Sequence, residues 1–452
     1  MFIHGGGFVV GSSRVYLPGT FINAHDIVFV TINYRIGVLG FLSTEDDASI
    51  GNYGLWDMVM ALQWVKNNIE AFGGDSEDVT ISGESAGGSA VSYLTLAPAA
   101  KNLFTKVYAQ SGTATSMFGR ATRARKTALE LASSLGCFDG ELAKNSGLET
   151  SKAILACLRK LPFRDFTKFT AFGLDESKFV PRVDGEFVLK DPLVLFNDTK
   201  YLKSVGFFDK AHLVAMDNNE RSIIKTHLKL NEYMLINHTG ATGAYAQNMI
   251  KGLYDSARRF YVGTRLNSPQ PSELVMKTVK SWYDRRFGSE ALTELMSDLS
   301  FLVPTLDYIE ATAKEMKCDS WLLYFNHYPE ILKGNQRGMP HSFELLYWFD
   351  FPLEMMKVFL SDRNIEEMGE EDLKLKHSFA ALIATFVKTG NPSNALMEHI
   401  PGGVPSYDTN KRSYIEFSPS PSLGFNLESA KREFWMRLSS AYNSDHIISS
   451  NV

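Results

Sequence analysis

Residues 79–88 of the chain have the sequence Val79-Thr80-Ile81-Ser82-Gly83-Glu84-Ser85-Ala86-Gly87-Gly88. The first three residues are apolar or β-branched and predict a short buried strand, and the segment after Ser85 predicts a helix. A serine in a strained turn between a strand and a helix is the geometry of a nucleophile elbow, in which flanking glycines relieve steric crowding. A glycine-rich helix cap is the competing interpretation. The strand before Ser85 and the helix after it favour this serine as a catalytic nucleophile.

Strand and helix patterns alternate around this turn in the first third of the chain. Two further apolar, β-branched runs, residues 27–32 and 107–109, predict buried strands. A helix is predicted before Gly73-Gly74 because apolar residues recur there at helical spacing: Leu55, Val59, Leu62, Val65 and Ile69. This order predicts the α/β fold class, with a mainly parallel central sheet flanked by helices.

Two long regions, from about residue 113 to 203 and from about 225 to 317, change to polar helical segments. Short apolar runs that could rejoin the sheet follow them at residues 212–216 and 321–325. We interpret both regions as helical insertions over the active site, within a single domain at residues 1–445 that is followed by a tail at 446–452. A helix around residues 379–386, a strand at 414–417 and a terminal helix complete the predicted elements.

The composition excludes some classes of partner. The chain has 452 residues, 44% of them hydrophobic, which is enough for a large core. Its net charge of -5 and its pI near 6.1 give no basic surface for nucleic acid. No apolar run is long enough to predict a transmembrane segment, and the sequence gives no signal of oligomeric state.

A second glycine-rich motif, His4-Gly5-Gly6-Gly7-Phe8, lies near the start of the chain. Backbone without a Cβ can approach a substrate closely and direct N–H groups at its carbonyl oxygen. Phosphate binding is the rival use of a glycine run, but no Gly-Lys-Ser/Thr follows here. Upstream of a nucleophile elbow, the motif predicts an oxyanion hole formed by Gly6, Gly7 and Ala86.

A serine nucleophile needs a histidine base and an acid that orients it, in the chain order serine, acid, histidine. The apolar run at 213–216 is followed by two carboxylates, Asp217 and Glu220. The next run, at 321–325, is followed by His327 and His341. Spacing favours His341 only modestly, because it follows a flexible Gly-Met-Pro stretch. Such a triad needs no metal and no cofactor.

These motifs resemble those of the type-B carboxylesterase and cholinesterase family. Further matches follow in one order along nearly the whole chain: Asn33-Tyr34-Arg35, Gly37, Gly40-Phe41, Gly51-Asn52, Gly54-Leu55, Asp57, Ala61-Leu62, Trp64-Val65, Phe72-Gly73-Gly74-Asp75, Gln110-Ser111-Gly112 and Thr389-Gly390-Asn391-Pro392. The resemblance implies an α/β-hydrolase fold and a serine carboxylesterase that cleaves small-molecule carboxylic esters through an acyl-enzyme intermediate. It also implies Glu220 as the acid and His341 as the histidine.

The resemblance further implies a disulfide between Cys137 and Cys157, which leaves Cys318 outside the pair. It implies the secretory pathway, where the sequons at Asn197 and Asn237 would be glycosylation sites. Met1-Phe2-Ile3 runs directly into the glycine motif without a signal-peptide pattern, so a cytoplasmic location stays open.

The sequence departs from the family at several positions. Arg221 stands where the family has a small residue after the acid. Ile223 and Ile224 replace aromatic rings that hold a quaternary ammonium group in cholinesterases, which argues against acetylcholine as a substrate. The family also has strands ahead of the first glycine motif, so we expect an N-terminally shortened form of a longer protein.

Two alternatives to an active esterase remain. The family includes neuroligin-like adhesion members that bind partners without catalysis, although these usually lose a triad residue. Ser85, Glu220 and His341 are all present here. The other alternative is a shortened chain that is inactive for structural reasons.

Overall fold

A computed structural model describes residues 1–139, 147–167, 179–239, 243–266, 268, 270–315, 317–332, 338–351 and 368–449 of the chain. It divides into two compact units, Met1–His212 and Leu213–Val452, which are described here one at a time. Among the described residues, no helix combines the length and the apolar character needed to cross a bilayer. The single domain predicted at residues 1–445 stays a prediction.

The first unit contains a parallel set of strands: β1 (Phe2–Ile3), β2 (Thr31–Ile32), β3 (Thr80–Glu84) and β4 (Lys106–Gln110), in the spatial order β2-β1-β3-β4. Every residue of β3 and β4 is buried, as expected for parallel strands that are covered on both faces. The run at 27–32 was predicted as a longer, buried strand, but only its last two residues pair, and its residues are half-buried or exposed. The neighbouring strand β1 is only two residues long, so no further residues of the run pair with it.

The helices of the first unit are α1 (Gly19–His25), α2 (Gly37–Phe41), α3 (Tyr53–Asn68), α4 (Ala86–Leu96), α5 (Ala124–Ser134), α6 (Leu148–Leu158), α7 (Phe163–Phe166), α8 (Pro192–Asn197) and α9 (Thr199–Ser204). Helix α3 confirms the prediction made from helical spacing, because Leu55, Leu62 and Val65 are buried on one face. Every residue of α4 is buried, so it is a core helix rather than a surface one.

The second unit contains most of β5 (Ala211–Asp217), together with β6 (Ser320–Phe325), β7 (Ser413–Phe417) and β8 (Ser422–Phe425), in the order β5-β6-β7-β8. Strands β6 and β7 are parallel, and β7 and β8 are antiparallel. The structure confirms the strands predicted for the apolar runs that begin at residues 212, 321 and 414. Strand β8 was not predicted, because it is only four residues long and includes a glycine. This glycine, Gly424, packs over the ring of Tyr414.

The helices of the second unit are α10 (Arg221–Thr239), α11 (Gly243–Arg265), α12 (Glu273–Phe287), α13 (Ala291–Ser297), α14 (Val303–Thr312), α15 (Glu370–Thr389) and α16 (Ser429–Ser449). Helices α10 to α14 occupy the second region interpreted as an insertion, and a π-helical turn, Asp298–Leu302, joins α13 to α14. Helix α16 extends into the predicted tail, so residues 446–449 are helical. Residues 450–452 lie outside the described residues.

Candidate active site

Ser85 occupies a strained turn between β3 and α4. Its φ of 57° and ψ of −121° lie outside the regions that a non-glycine residue normally adopts. The turn is held by the Ser85 N–H, which donates to the Gln110 carbonyl at 2.9 Å, and by the Ser85 carbonyl, which accepts from the Ser89 N–H at 2.9 Å. Strain of this kind costs about 1–3 kcal/mol and is concentrated at functional sites. The geometry is that of the predicted nucleophile elbow.

Gly87 lets α4 begin close to β1. A Cβ built on Gly87 would lie 2.0 Å from the Ile3 carbonyl oxygen, well inside van der Waals contact. Any larger residue would therefore push the first turn of α4 away from β1. The motif therefore requires glycine at position 87 for a steric reason.

The first glycine motif lies directly against the elbow. A Cβ on Gly5 would be 3.2 Å from the Ser85 Cβ. Gly6 has a φ of 107°, and its carbonyl accepts the N–H groups of Val9 and Val10 at 3.1 and 3.0 Å. Among the described residues, the N–H groups of Gly6, Gly7 and Ala86 donate to no protein acceptor. N–H groups without a protein acceptor are what an oxyanion hole needs, and the oxyanion hole stays a prediction.

The side chains of His4 and Tyr34 pack against each other and bond to the backbone of the glycine motif. Their rings stack with centroids 4.4 Å apart, and the Tyr34 hydroxyl donates to the His4 carbonyl at 3.0 Å. His4 Nδ1 donates to the Gly5 carbonyl at 2.8 Å, and burial lowers the pKa of His4, so its ring is neutral at neutral pH. Tyr34 lies in the matched Asn-Tyr-Arg motif, but no role was predicted for it from the sequence.

In the second unit, Glu220 and His341 form a short hydrogen bond. His341 Nδ1 lies 2.6 Å from Glu220 Oε2, and the two side chains are 7% and 2% exposed. The other carboxylate oxygen, Oε1, accepts the Asp217 N–H at 3.0 Å. A carboxylate only accepts, so His341 carries a proton on Nδ1 and, when neutral, presents Nε2 as an acceptor. This is the tautomer that a general base requires.

The loops that carry these two residues are joined through their backbones. The Asn219 N–H donates to the Met339 carbonyl at 3.1 Å, and the His341 N–H donates to Ser222 Oγ at 3.1 Å. The ring of Phe301, from the π-helical turn, lies 4.8 Å from the His341 ring. His341 is therefore fixed by a backbone bond, a carboxylate and an aromatic neighbour.

His327, the alternative histidine, has a different partner. His327 Nε2 lies 2.7 Å from Asp372 Oδ1, which also accepts the Tyr347 hydroxyl at 2.7 Å. The second oxygen of Asp372 accepts the Glu330 N–H at 2.9 Å. Within the second unit, this cluster ties the segment after β6 to α15. The geometry thus favours His341 and Glu220 over His327.

Arg221, the departure next to the acid, binds elsewhere. Its Nη1 donates to Glu294 Oε1 at 2.6 Å, and its Nε donates to Asn219 Oδ1 at 3.2 Å. The Glu220–His341 hydrogen bond forms despite this large neighbour. Among the described residues, no group of three or more potential metal ligands comes together.

A disulfide joins Cys137 to Cys157, with an S–S distance of 2.02 Å, and is the pairing that the resemblance implied. Cys318 is buried. Asn197 is exposed at the end of α8, whereas Asn237 lies within α10, where its side chain is outside the described residues. Glycosylation and the secretory pathway stay predictions.

A strained serine after a parallel strand, a glycine loop beside it, and an acid–histidine pair after later strands define the α/β-hydrolase class. A family model described as the carboxylesterase family matches residues 1–435, so the chain belongs to the carboxylesterase family.

Several relatives are similar over nearly the whole chain. Bile salt-activated lipase of Bos taurus is 28% identical over 96% of this chain and 70% of its own length. Neuroligin-2 of Homo sapiens is 27% identical over 97% of this chain, which spans 51% of that relative. Carboxylesterase 1C of Rattus norvegicus is 27% identical over 97% of this chain and 73% of its own length.

Proposed function

We propose that this protein hydrolyses carboxylic esters, with Ser85 as the nucleophile, His341 as the base and Glu220 as the acid that orients it. Ser85 Oγ attacks the ester carbonyl carbon, and its proton passes to His341 Nε2. The tetrahedral intermediate then collapses, the alcohol leaves with that proton, and the acyl group stays on Ser85. Water repeats the sequence, releasing the carboxylic acid and restoring the serine. No redox step or metal enters this chemistry.

The oxyanion formed in both halves of the reaction would be bound by the N–H groups of Gly6, Gly7 and Ala86. Their lack of acceptors among the described residues supports this assignment. Loss of one such donor in related chemistry costs about 2.7–4 kcal/mol of transition-state stabilisation.

The observation that carries the proposal is the 2.6 Å bond between His341 Nδ1 and Glu220 Oε2. A carboxylate that holds the proton of a histidine on Nδ1 leaves Nε2 as the acceptor, which is what a histidine base requires. The strained φ of Ser85 supports the same chemistry from the first unit, because the strain persists only where the surrounding structure enforces it.

Neutral esters are the proposed substrate class. The names of two of the relatives, a lipase and a carboxylesterase, describe enzymes that act on esters. Ile224 is buried and Ile223 is half-buried, and neither offers a π face to a quaternary ammonium group.

A non-catalytic binding protein is the second candidate function. Neuroligin-2 matches this chain at 27% identity, almost the same as the lipase, so similarity alone does not favour catalysis. The presence of the serine, the acid and the histidine distinguishes the two candidates, because a pure binding role needs none of them.

Hydrolysis of nitrophenyl acetate and nitrophenyl butyrate by the purified chain tests the proposal. We expect turnover by the wild type, and loss of about 10⁴-fold or more in kcat for Ser85→Ala. Ser89→Ala, one turn further along α4 at a fully buried serine, is the control and should keep its activity. A folded wild type without turnover would support the binding candidate instead, and equal activity in Ser85→Ala would show that Ser85 is not the nucleophile.

A further inference from the structure

A cluster of buried charged side chains contacts Arg221, the residue that follows Glu220 in the chain. Glu294, on α13, accepts from Arg221 Nη1 through Oε1 at 2.6 Å and from Lys431 Nζ through Oε2 at 3.1 Å. Lys431 also donates to Asp298 Oδ1 at 2.8 Å. The side chains of Glu294 and Asp298 are 9% and 3% exposed, whereas that of Arg221 is 44% exposed. Glu294 is thus a buried partner and Arg221 a partly exposed one.

Glu294 stays ionised in this cluster. Burial alone would raise the pKa of Glu294, but Lys431 and Arg221 outweigh burial and lower it. Burial also acts against the charged form of Lys431, yet Asp298 and Glu294 raise the pKa of Lys431. A full negative charge therefore faces the Arg221 guanidinium at neutral pH.

Arg221 and Glu220 line the same cavity. This cavity has a volume of about 340 Å³, and its lining includes Glu220, Arg221, Glu294, Asp298 and Lys431. Arg221 follows Glu220 directly in the chain, and besides Glu294 its guanidinium contacts Asn219 Oδ1, through a single bond of 3.2 Å from Nε. Arginine–carboxylate bonds are charge-assisted and often bidentate, so they would compete strongly with the single bond from a neutral imidazole.

We propose that Glu294 is a positioning residue that sequesters Arg221 and so reserves the Glu220 carboxylate for His341. This inference rests on the proposed function and adds to it a residue from outside the triad. It also explains how the chain accommodates an arginine next to its acid, at the position where the resemblance implies a small residue.

Three variants test the proposal together: Glu294→Gln, Arg221→Ala and the double variant. Glu294→Gln should lower kcat by about tenfold or more with little change in KM, because the released arginine occupies Glu220. Arg221→Ala should keep kcat within about twofold, and the double variant should recover to within about threefold of the wild type. A double variant as slow as Glu294→Gln, or a Glu294→Gln variant with full kcat, overturns the proposal.

Glu310 provides the matched control. It is another partly buried glutamate of the second unit, and it pairs with Arg412 at 2.9 Å and with Arg432 at 3.1 Å. Glu310→Gln should change thermal stability without changing kcat. An equal effect of Glu310→Gln and Glu294→Gln on kcat would mean that Glu294 is merely structural.

A proton NMR spectrum gives a readout that does not depend on turnover. The Nδ1 proton in the His341–Glu220 bond should appear far downfield of the amide signals, and His341→Gln should abolish it. The signal should be lost in Glu294→Gln and return in the double variant; its persistence in Glu294→Gln contradicts the proposal. An inactive wild type that showed this NMR pattern would defeat the proposed function and leave the positioning role standing. If Glu294→Gln fails to fold, Glu294→Asp, which keeps the charge but shortens the reach, should show a smaller loss that Arg221→Ala restores.

Discussion

At the scale of single residues, Glu220 is held at both of its oxygens. One accepts the Asp217 N–H at 3.0 Å and the other accepts His341 Nδ1 at 2.6 Å. The first bond fixes the carboxylate plane, so the second oxygen is presented to the imidazole without further adjustment. Preorganisation of this kind lets the acid stabilise an imidazolium as soon as it forms.

Replacement of this carboxylate should be costly. We predict that Glu220→Gln lowers kcat by about 10²–10⁴-fold with little change in KM, because the amide can present an N–H to the ring and impose the wrong tautomer. Steady-state hydrolysis of a nitrophenyl ester measures the loss. Asp372→Asn, which alters the carboxylate bound to His327, is the control and should keep kcat within about threefold. A larger loss of kcat in Asp372→Asn would indicate that His327, and not His341, is the catalytic histidine.

The absence of an aromatic pair at Ile223 and Ile224 sets a second expectation. We predict that butyrylthiocholine and its uncharged 3,3-dimethylbutyl analogue have similar kcat/KM values. A cation–π wall would favour the charged ester by about 2- to 30-fold. Competition between the two esters measures the ratio directly, and a clear preference for choline would show that another part of the chain binds the cation.

The sequence left the histidine open because the deciding contacts are remote along the chain. His327 is assigned to another partner by Asp372, which lies 45 residues later on α15. Its neighbour Tyr347 adds a second bond to the same carboxylate. Nothing in the local sequence around His327 signals that contact, so spacing could favour His341 only slightly. The family resemblance supplied the choice that spacing could not.

At the scale of elements, the close approach of α4 to β1 depends on Gly87. We predict that Gly87→Ala destabilises the protein by roughly 1–3 kcal/mol, since the added Cβ would lie 2.0 Å from the Ile3 carbonyl oxygen. Denaturant unfolding measures the change. Gly252→Ala, in an open part of α11, is the matched control and should be neutral or stabilise by up to about 1 kcal/mol. Equal effects at the two positions would contradict the steric explanation.

The elements themselves were predicted where the pattern is strong and local. The elbow, α3 and the strands at 212, 321 and 414 follow from hydrophobic spacing, and the structure has them within a few residues. Strand β2 is shorter than predicted because pairing depends on β1, a partner outside its own segment. Strand β8 was missed because a short antiparallel partner with a glycine carries little periodicity of its own.

At the scale of the whole molecule, the His327–Asp372 cluster makes stability depend on pH. Burial alone would raise the pKa of Asp372, but hydrogen bonds from His327 and Tyr347 lower it below its usual value. A lowered folded-state pKa contributes stability above the unfolded pKa of about 4, and this contribution is lost as the pH falls through the folded value.

We therefore predict that Asp372→Asn lowers the free energy of unfolding by roughly 1.5–3 kcal/mol at pH 7. The difference from the wild type should shrink below about pH 4, because a protonated Asp372 resembles asparagine. Chemical unfolding at a series of pH values measures this difference. A difference that is independent of pH would show that the loss comes from packing and not from the charge.

Covalent trapping tests whether Ser85 is the nucleophile of an esterase. The full chain is treated with a fluorophosphonate, and intact-protein and peptide mass spectrometry then count and locate the adduct. We predict one phosphonyl group per chain, on Ser85, with labelling strongly slowed in His341→Gln and absent in Ser85→Ala. A folded chain that takes up no label, or that carries it on another residue, would show that Ser85 is not the nucleophile.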